Sequence, residues 1–308
     1  MGAIACIGAG LVGRAWAVVF ARAGHEVRLY DRDQEALNAV ALPTIARILD
    51  GLDAAGMLAE PPAAIAARIR GAPSVEDAVT GTIHVQESVR EDVAIKREVF
   101  AEIARHAPRD ARLCSSTSAL RGSEFLTHVE APERAMVAHP VNPPSHIPLV
   151  EICGTGLTSP EAVADARAFF DGIGMKPIVL NKEIDGFILN RLQYTLVAEA
   201  MHLVGEGYCS ASDIDRVMTD GLALRWASIG PFMVAHLNAA GGFRGFVGQL
   251  GPMMRRMGED ARTDYPWTDA MVEAIHAEME AAVPISAIPE RQHWRDGRIL
   301  DTRKLQAG

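Results

Sequence analysis

A chain of 308 residues is long for one compact core, because domains usually run to about 100–200 residues, so two domains are expected. With 49% hydrophobic and 22% charged residues, the composition is that of a folded globular protein rather than a disordered one. The formal charge of -9 opposes a broad grip on nucleic acid or an anionic lipid surface, and no apolar run reaches the roughly 18 residues of a membrane span, so neither partner is expected.

In chain order, "AIACIG" (3–8) reads as a buried strand and "RAWAVVFARAG" (14–24) as a helix stopped by Gly24. "HEVRLYD" (25–31) reads as a second strand, completing a βαβ unit. The apolar start lacks the basic region of a secretory signal, and Cys6 stands where a myristoylation signal carries Ser or Thr. Between strand and helix lies "GAGLVG" (8–13), a G-x-G-x-x-G run that would be weak alone. Its context gives it weight: it follows a strand, opens a helix, and is succeeded by Asp31, 18 residues after Gly13. Gly8 permits the tight turn, Gly10 lets backbone approach a pyrophosphate, and Gly13 lets helix and strand pack closely. Gly8, Gly10, Leu11, Val12 and Gly13 are therefore candidate dinucleotide contacts. Asp31 would bond the adenosine ribose hydroxyls and repel a 2'-phosphate, which favours NAD over NADP; Arg32 beside it is the one residue suited to that phosphate.

Residues 33–70 are Ala-rich with helical spacing and a break near Pro61 and Pro62, consistent with a helical excursion between strands. Further strand candidates are "TIHVQE", "ARLCSS", "RAMVAHP", "LVEIC" and "KPIVL", with helices between several of them. The expected fold is α/β: a Rossmann-type, doubly wound, largely parallel sheet over 1–182. Strand signals then stop. "DGFILNRLQYTLVAEAMHLVGEG" reads as one long helix, and 183–308 is expected to be a smaller all-helical domain. Cys6, Cys114, Cys153 and Cys209 stand singly in apolar contexts without any CxxC, so they read as small core residues in a reducing compartment, with the cytoplasm as default.

The stretch "VAHPVNPPSHIPLVEICG" (137–154) places His139 and Glu151 twelve positions apart in otherwise apolar, proline-rich sequence. A nicotinamide enzyme oxidising an alcohol needs a base for the hydroxyl proton, and histidine suits that task near neutral pH. His139 falls at the C-terminal end of a strand, where ligands of open α/β sheets collect, and Glu151 lies on the next strand, across a loop able to bring it back. Its role would be to fix the tautomer and stabilise the imidazolium. The alternative is a satisfied structural histidine and a surface glutamate. His84, His146 and His202 are read as structural, and no third ligand joins His139 and His146 to make a metal site.

"SSTS" (115–118), "AHPVNPP", "LVEI" and "DGFILNRL" occur in the order seen in the 3-hydroxyacyl-CoA dehydrogenase superfamily, and the resemblance covers nearly the whole chain. "HVQESV", "VAHPVNPP", "KEIDGFILNRLQY", "HLNAAGG" and "RQHWRD" bring it closer to the lambda-crystallin branch, whose enzyme is L-gulonate 3-dehydrogenase. The resemblance implies that His139 is the catalytic base and Glu151 its partner, and that Ser118 and Asn190 contact the substrate oxygen. It places Glu91 and Lys96, in "REDVAIK", near the nicotinamide ribose, and implies a homodimer formed through the C-terminal helices. Unaided, Ser118 reads as a turn hydroxyl, and Asn190 is mildly unfavourable in a helix unless its amide is used. Arg90 stands where a proline is common, and Arg32 follows the acid; both depart from the pattern.

The expected activity is NAD-dependent oxidation of the 3-hydroxyl of a free small hydroxy acid, L-gulonate or a close relative. Two alternatives stand beside it. A 3-hydroxyacyl-CoA dehydrogenase would have to bind CoA phosphates, yet residues 33–70 contain no lysine and carry Asp50, Asp53 and Glu60. A structural crystallin-like or non-catalytic NAD-binding protein would have no physical need of a base with its orienting carboxylate. In "GLALRWASIGPF", Arg225 offers a planar charged fork that matches a free carboxylate, and it is expected to anchor the substrate; an interface salt bridge is the alternative.

Overall fold

The computed structural model describes residues 2–265 and 268–307. Two compact units are present, Met1–Asn190 and Arg191–Gly308.

The first unit is built on one eight-stranded sheet: β1 (Ala3–Ile7), β2 (Val27–Tyr30), β3 (Ile69–Gly71), β4 (Thr82–Glu87), β5 (Arg112–Ser115), β6 (Ala135–Pro140), β7 (Leu149–Gly154) and β8 (Lys176–Leu180). Their order is β3-β2-β1-β4-β5-β6-β7-β8, and every pairing is parallel except β6 with β7. The first six strands follow the doubly wound order, in which ligands lie beyond the strand C-termini at the reversal between β1 and β4. β1 is an unbroken buried run from Ile4 to Ile7, as expected for a strand with both faces covered. Ile7, Phe100, Ile103, Leu113, Phe125 and Phe187 belong to one fully buried cluster. Each such side chain contributes roughly 1.5–3 kcal/mol of apolar burial. That packing holds the strand ends that carry polar groups.

The glycine turn shows why those positions carry no side chain. Gly8 has a φ of 99°, in the left-handed region, and a Cβ on Gly13 would stand 1.9 Å from the Gly8 carbonyl oxygen. The excursion after β2 is helical, in segments Gln34–Ala36, Leu37–Ala41, Leu42–Ala54 and Pro62–Ala66, and it breaks at Pro61 and Pro62. The chain then makes β3, three residues too short to leave a period in the sequence. Its backbone nevertheless pairs with Val27, Arg28 and Leu29.

The described residues of the second unit form helices and their connections, with Ala211–Arg216, Pro231–Leu237, Gly242–Asp260, Asp269–Ala282 and Ile288–Ala307 among the helices. The long helix expected from sequence runs from Phe187 to Gly205. Its first turn packs with the sheet unit, whose compact part runs to Asn190, a few residues past the division at 182/183 read from sequence. The reason is polar: the amides of Ile188 and Leu189 bond Glu151, and the Asn190 side chain bonds the Ser118 carbonyl. No helix among the described residues is long and apolar enough to cross a membrane.

Candidate active site

At the first βα turn, Gly10 caps the helix Leu11–Arg22 without any side-chain hydrogen bond, and no acid lies in the first turn. The leading amides are thus left for a ligand, at the positive end of the helix dipole. A Cβ on Gly10 would meet nothing within 4 Å, so the backbone is bare on that side; Leu11 is exposed and Val12 half-buried beside it. At the end of β2, Asp31 Oδ2 accepts the Ala9 amide at 2.8 Å and Oδ1 the Asp33 amide at 3.0 Å. Each oxygen takes one backbone donor, and a carboxylate retains further lone pairs for ribose hydroxyls. Arg32 is exposed. These residues fit NAD: diphosphate on the glycine turn, adenosine ribose on Asp31.

The antiparallel turn from β6 to β7 sets His139 directly opposite Glu151. His139 Nδ1 lies 2.8 Å from Glu151 Oε2, and both side chains are buried. With Oε2 as the acceptor, Nδ1 is the donor and the ring lone pair is on Nε2. The other carboxylate oxygen, Oε1, accepts the amides of Ile188 at 2.9 Å and Leu189 at 3.1 Å. Glu151 therefore has a donor on each oxygen, which is what a buried charge requires.

Ser118 is exposed on the loop after β5, and a second carboxylate shapes that loop. Glu91 Oε1 accepts the amides of Ser118 at 2.9 Å and Ala119 at 3.1 Å, together with the Thr117 hydroxyl. Burial pushes the Glu91 carboxyl up, but the Thr117 hydrogen bond, the Lys96 charge and these amides outweigh burial and hold it below its ordinary value. Asn190 Nδ2 donates to the Ser118 carbonyl at 2.8 Å, so Ser118 and Asn190 are joined through backbone. Lys96 is buried, with its ammonium 2.9 Å from Glu87 Oε1 and 3.3 Å from Glu91 Oε2. Lys96 is thus held between two carboxylates.

Sequence reasoning missed three supports of these groups. Glu87, wholly buried at the end of β4, takes Lys96 Nζ, the Val89 amide and the Ser115 hydroxyl, and so joins β4, β5 and the helix Val93–His106. Its only signal was an acid closing a strand candidate, "TIHVQE". Ser116 Oγ receives Trp16 Nε1 at 3.1 Å and Gln86 Nε2 at 2.8 Å and lies 2.9 Å from Ser88 Oγ. Phe187 packs its ring against the His139 imidazole, with centroids 5.2 Å apart. His84 lies away from this chemistry, edge-on or tilted against Phe20, Phe169 and Phe170. Burial, then the Arg112 charge, lower its pKa to about 3, so it stays neutral. Arg225 belongs to the second unit, in the short helix Ala223–Trp226, with an exposed side chain.

Two family models match the chain in succession: the 3-hydroxyacyl-CoA dehydrogenase NAD binding domain over residues 3–184, and the 3-hydroxyacyl-CoA dehydrogenase C-terminal domain over residues 186–285. A lambda-crystallin homolog of Bos taurus is 38% identical over 99% of this chain and 96% of its own. The L-carnitine dehydrogenase/betainyl-CoA thioesterase of Rhizobium meliloti (strain 1021) is 36% identical over 99% of this chain and 61% of its own. Among solved structures, FHMPC 5-dehydrogenase, an NAD+ dependent dismutase, superposes with a TM-score of 0.86 at 26% identity, over 100% of this chain and 99% of that one.

Proposed function

The chain belongs to the 3-hydroxyacyl-CoA dehydrogenase family and is an NAD-dependent oxidoreductase acting on CH–OH groups; from that premise, we propose that it oxidises the 3-hydroxyl of a free small hydroxy acid, with His139 and Glu151 as the catalytic pair. The observation that carries this is the buried 2.8 Å contact of His139 with a carboxylate whose second oxygen is taken by two backbone amides. Glu151 is thereby fixed as an acceptor, and Nε2 is the ring nitrogen left to take the substrate hydroxyl proton. As that proton arrives, the Glu151 charge stabilises the imidazolium. When bound, NAD supplies the hydride acceptor. Ser118, on a loop that Glu91 holds, and Asn190, in the first turn of the helix Phe187–Gly205, hold the substrate oxygen in this reading.

Three features favour a free acid over an acyl-CoA. The segment after β2 has no lysine for CoA phosphates, and of its arginines, Arg47, Arg68 and Arg70, Arg68 is ion-paired with Glu60. Arg225 supplies a permanently charged fork for a carboxylate, which a free acid carries and a thioester lacks. One relative is named for L-carnitine, itself a free 3-hydroxy acid. L-gulonate is the substrate proposed first. The second reading, an acyl-CoA substrate, is the one the family's own description favours. A purely structural role, as the crystallin name of the relatives would have it, leaves the buried pair without a purpose. The protein is read as cytoplasmic and as a homodimer whose second copy covers exposed apolar side chains of the second unit, such as Phe232 and Leu237.

The test is NADH absorbance with the wild-type protein, NAD, and a panel of L-gulonate, L-carnitine, 3-hydroxybutyrate and 3-hydroxybutyryl-CoA. A free acid should give the highest kcat/KM. Turnover of the thioester alone would transfer the protein to the second reading, and no turnover of any member would leave the structural one.

A further inference from the structure

Phe187 is fully buried and yet has a φ of 51°, directly after Gly186 at 73°. For a residue with a bulky side chain this left-handed conformation is rare, and it persists only where the surroundings over-determine it. Here they do: the Phe187 amide closes a turn on the Ile184 carbonyl at 3.2 Å, and the Gly186 amide reaches across to the Ala119 carbonyl at 3.3 Å. Core packing accounts for the burial of the ring but not for the backbone, since a phenylalanine can fill an apolar cluster from an ordinary conformation. The backbone conformation serves the two residues after it. Their amides, those of Ile188 and Leu189, both reach Glu151 Oε1, at 2.9 and 3.1 Å. The ring, meanwhile, lies 5.2 Å from the His139 imidazole at an interplanar angle of 32°.

We infer that Phe187 is a positioning residue for the His139–Glu151 pair. Its left-handed turn aims two amides at one oxygen of Glu151, which leaves the other for His139 Nδ1, and its ring walls the imidazole so that Nε2 keeps one direction. The effect on turnover rests on the proposed role of that pair. The positioning itself is readable without any substrate.

A proton held between a buried imidazole Nδ1 and a carboxylate gives a slowly exchanging, strongly downfield resonance, which His139→Gln identifies by its loss. Two variants disturb the arrangement differently. Phe187→Leu keeps apolar bulk but removes the ring, and Gly186→Ala keeps the ring while disfavouring the left-handed turn. In each, with circular dichroism and melting temperature close to wild type, the resonance should broaden or vanish. The kcat for the free acid should also fall about 10- to 100-fold, with KM for NAD unchanged, as for a small misplacement of a catalytic group. If Phe187→Leu does not fold, Gly186→Ala decides alone. A folded variant with an intact resonance overturns the inference. A lost resonance in a protein that oxidises no member of the panel upholds the positioning and removes the functional reading instead.

Discussion

Glu87, Lys96, His139 and Glu151, all in residues 1–190, are at most 4% exposed, whereas Phe232, Leu237 and Leu305, in residues 191–308, are 77%, 65% and 84% exposed. The sheet unit thus buries charge and the helical unit displays hydrocarbon, the reverse of ordinary practice in each case. Buried charges are tolerated where each has its partners, and here they do: Lys96 between two carboxylates, Glu151 between an imidazole and two amides. The first unit is therefore over-determined about a site, as preorganised chemistry demands. The second unit presents a surface that water solvates poorly, which makes it the part to look to for partners.

The comparison breaks most readily at the pair. Glu151→Gln or His139→Gln should lower kcat by about 10²- to 10⁴-fold, the range of general base catalysis, while fold and KM for NAD are kept. A variant that loses NAD binding in proportion would make the pair a structural strut. Next in size is Arg225→Met, which should cost roughly 2–4 kcal/mol in kcat/KM toward a free acid, as for a lost charge-assisted pair, with the oligomer intact. Dissociation with per-site activity retained would return Arg225 to the interface.

A smaller effect concerns acid stability of the sheet unit. His84 has its pKa lowered from 6.5 to about 3 by burial, so the folded protein binds this proton less readily than the unfolded chain. The stability tied to its neutral form is full above about pH 6.5 and is lost as the pH falls from there toward 3. His84→Phe should flatten that slope and, near pH 5, recover about 2 kcal/mol of the loss in urea unfolding. An unchanged slope would show that His84 already charges in the folded state. Least affected should be the chemistry of a Phe232→Lys, Leu237→Lys variant. Sedimentation should show a dimer turned to monomer, with the secondary structure kept; a wild-type monomer would refute the second-copy reading.

Legibility differed between the same two regions. "GAGLVG" with Asp31, and His139 with Glu151, could be read because residue type, spacing and strand position all pointed one way. Glu87, Ser116 and Phe187 could not, since their roles arise from contacts between elements distant in sequence: 28 residues separate Glu87 from Ser115, and 100 separate Trp16 from Ser116. Nothing in the letter F at position 187 announces a left-handed backbone. In the helical unit the sequence yielded helices but not their purpose, because an apolar stripe reads alike whether its own chain or another covers it.

Whether His139 and Glu151 act as one device is tested most directly by a double-mutant cycle in kcat. His139→Gln, Glu151→Gln and the double variant would be compared with wild type on the best free acid of the panel. If the two work together, the double variant is no slower than the worse single one, because removing either member has already disabled the base. Losses that multiply in the double variant would mean that each residue acts independently, and the pair as a catalytic unit would be refuted.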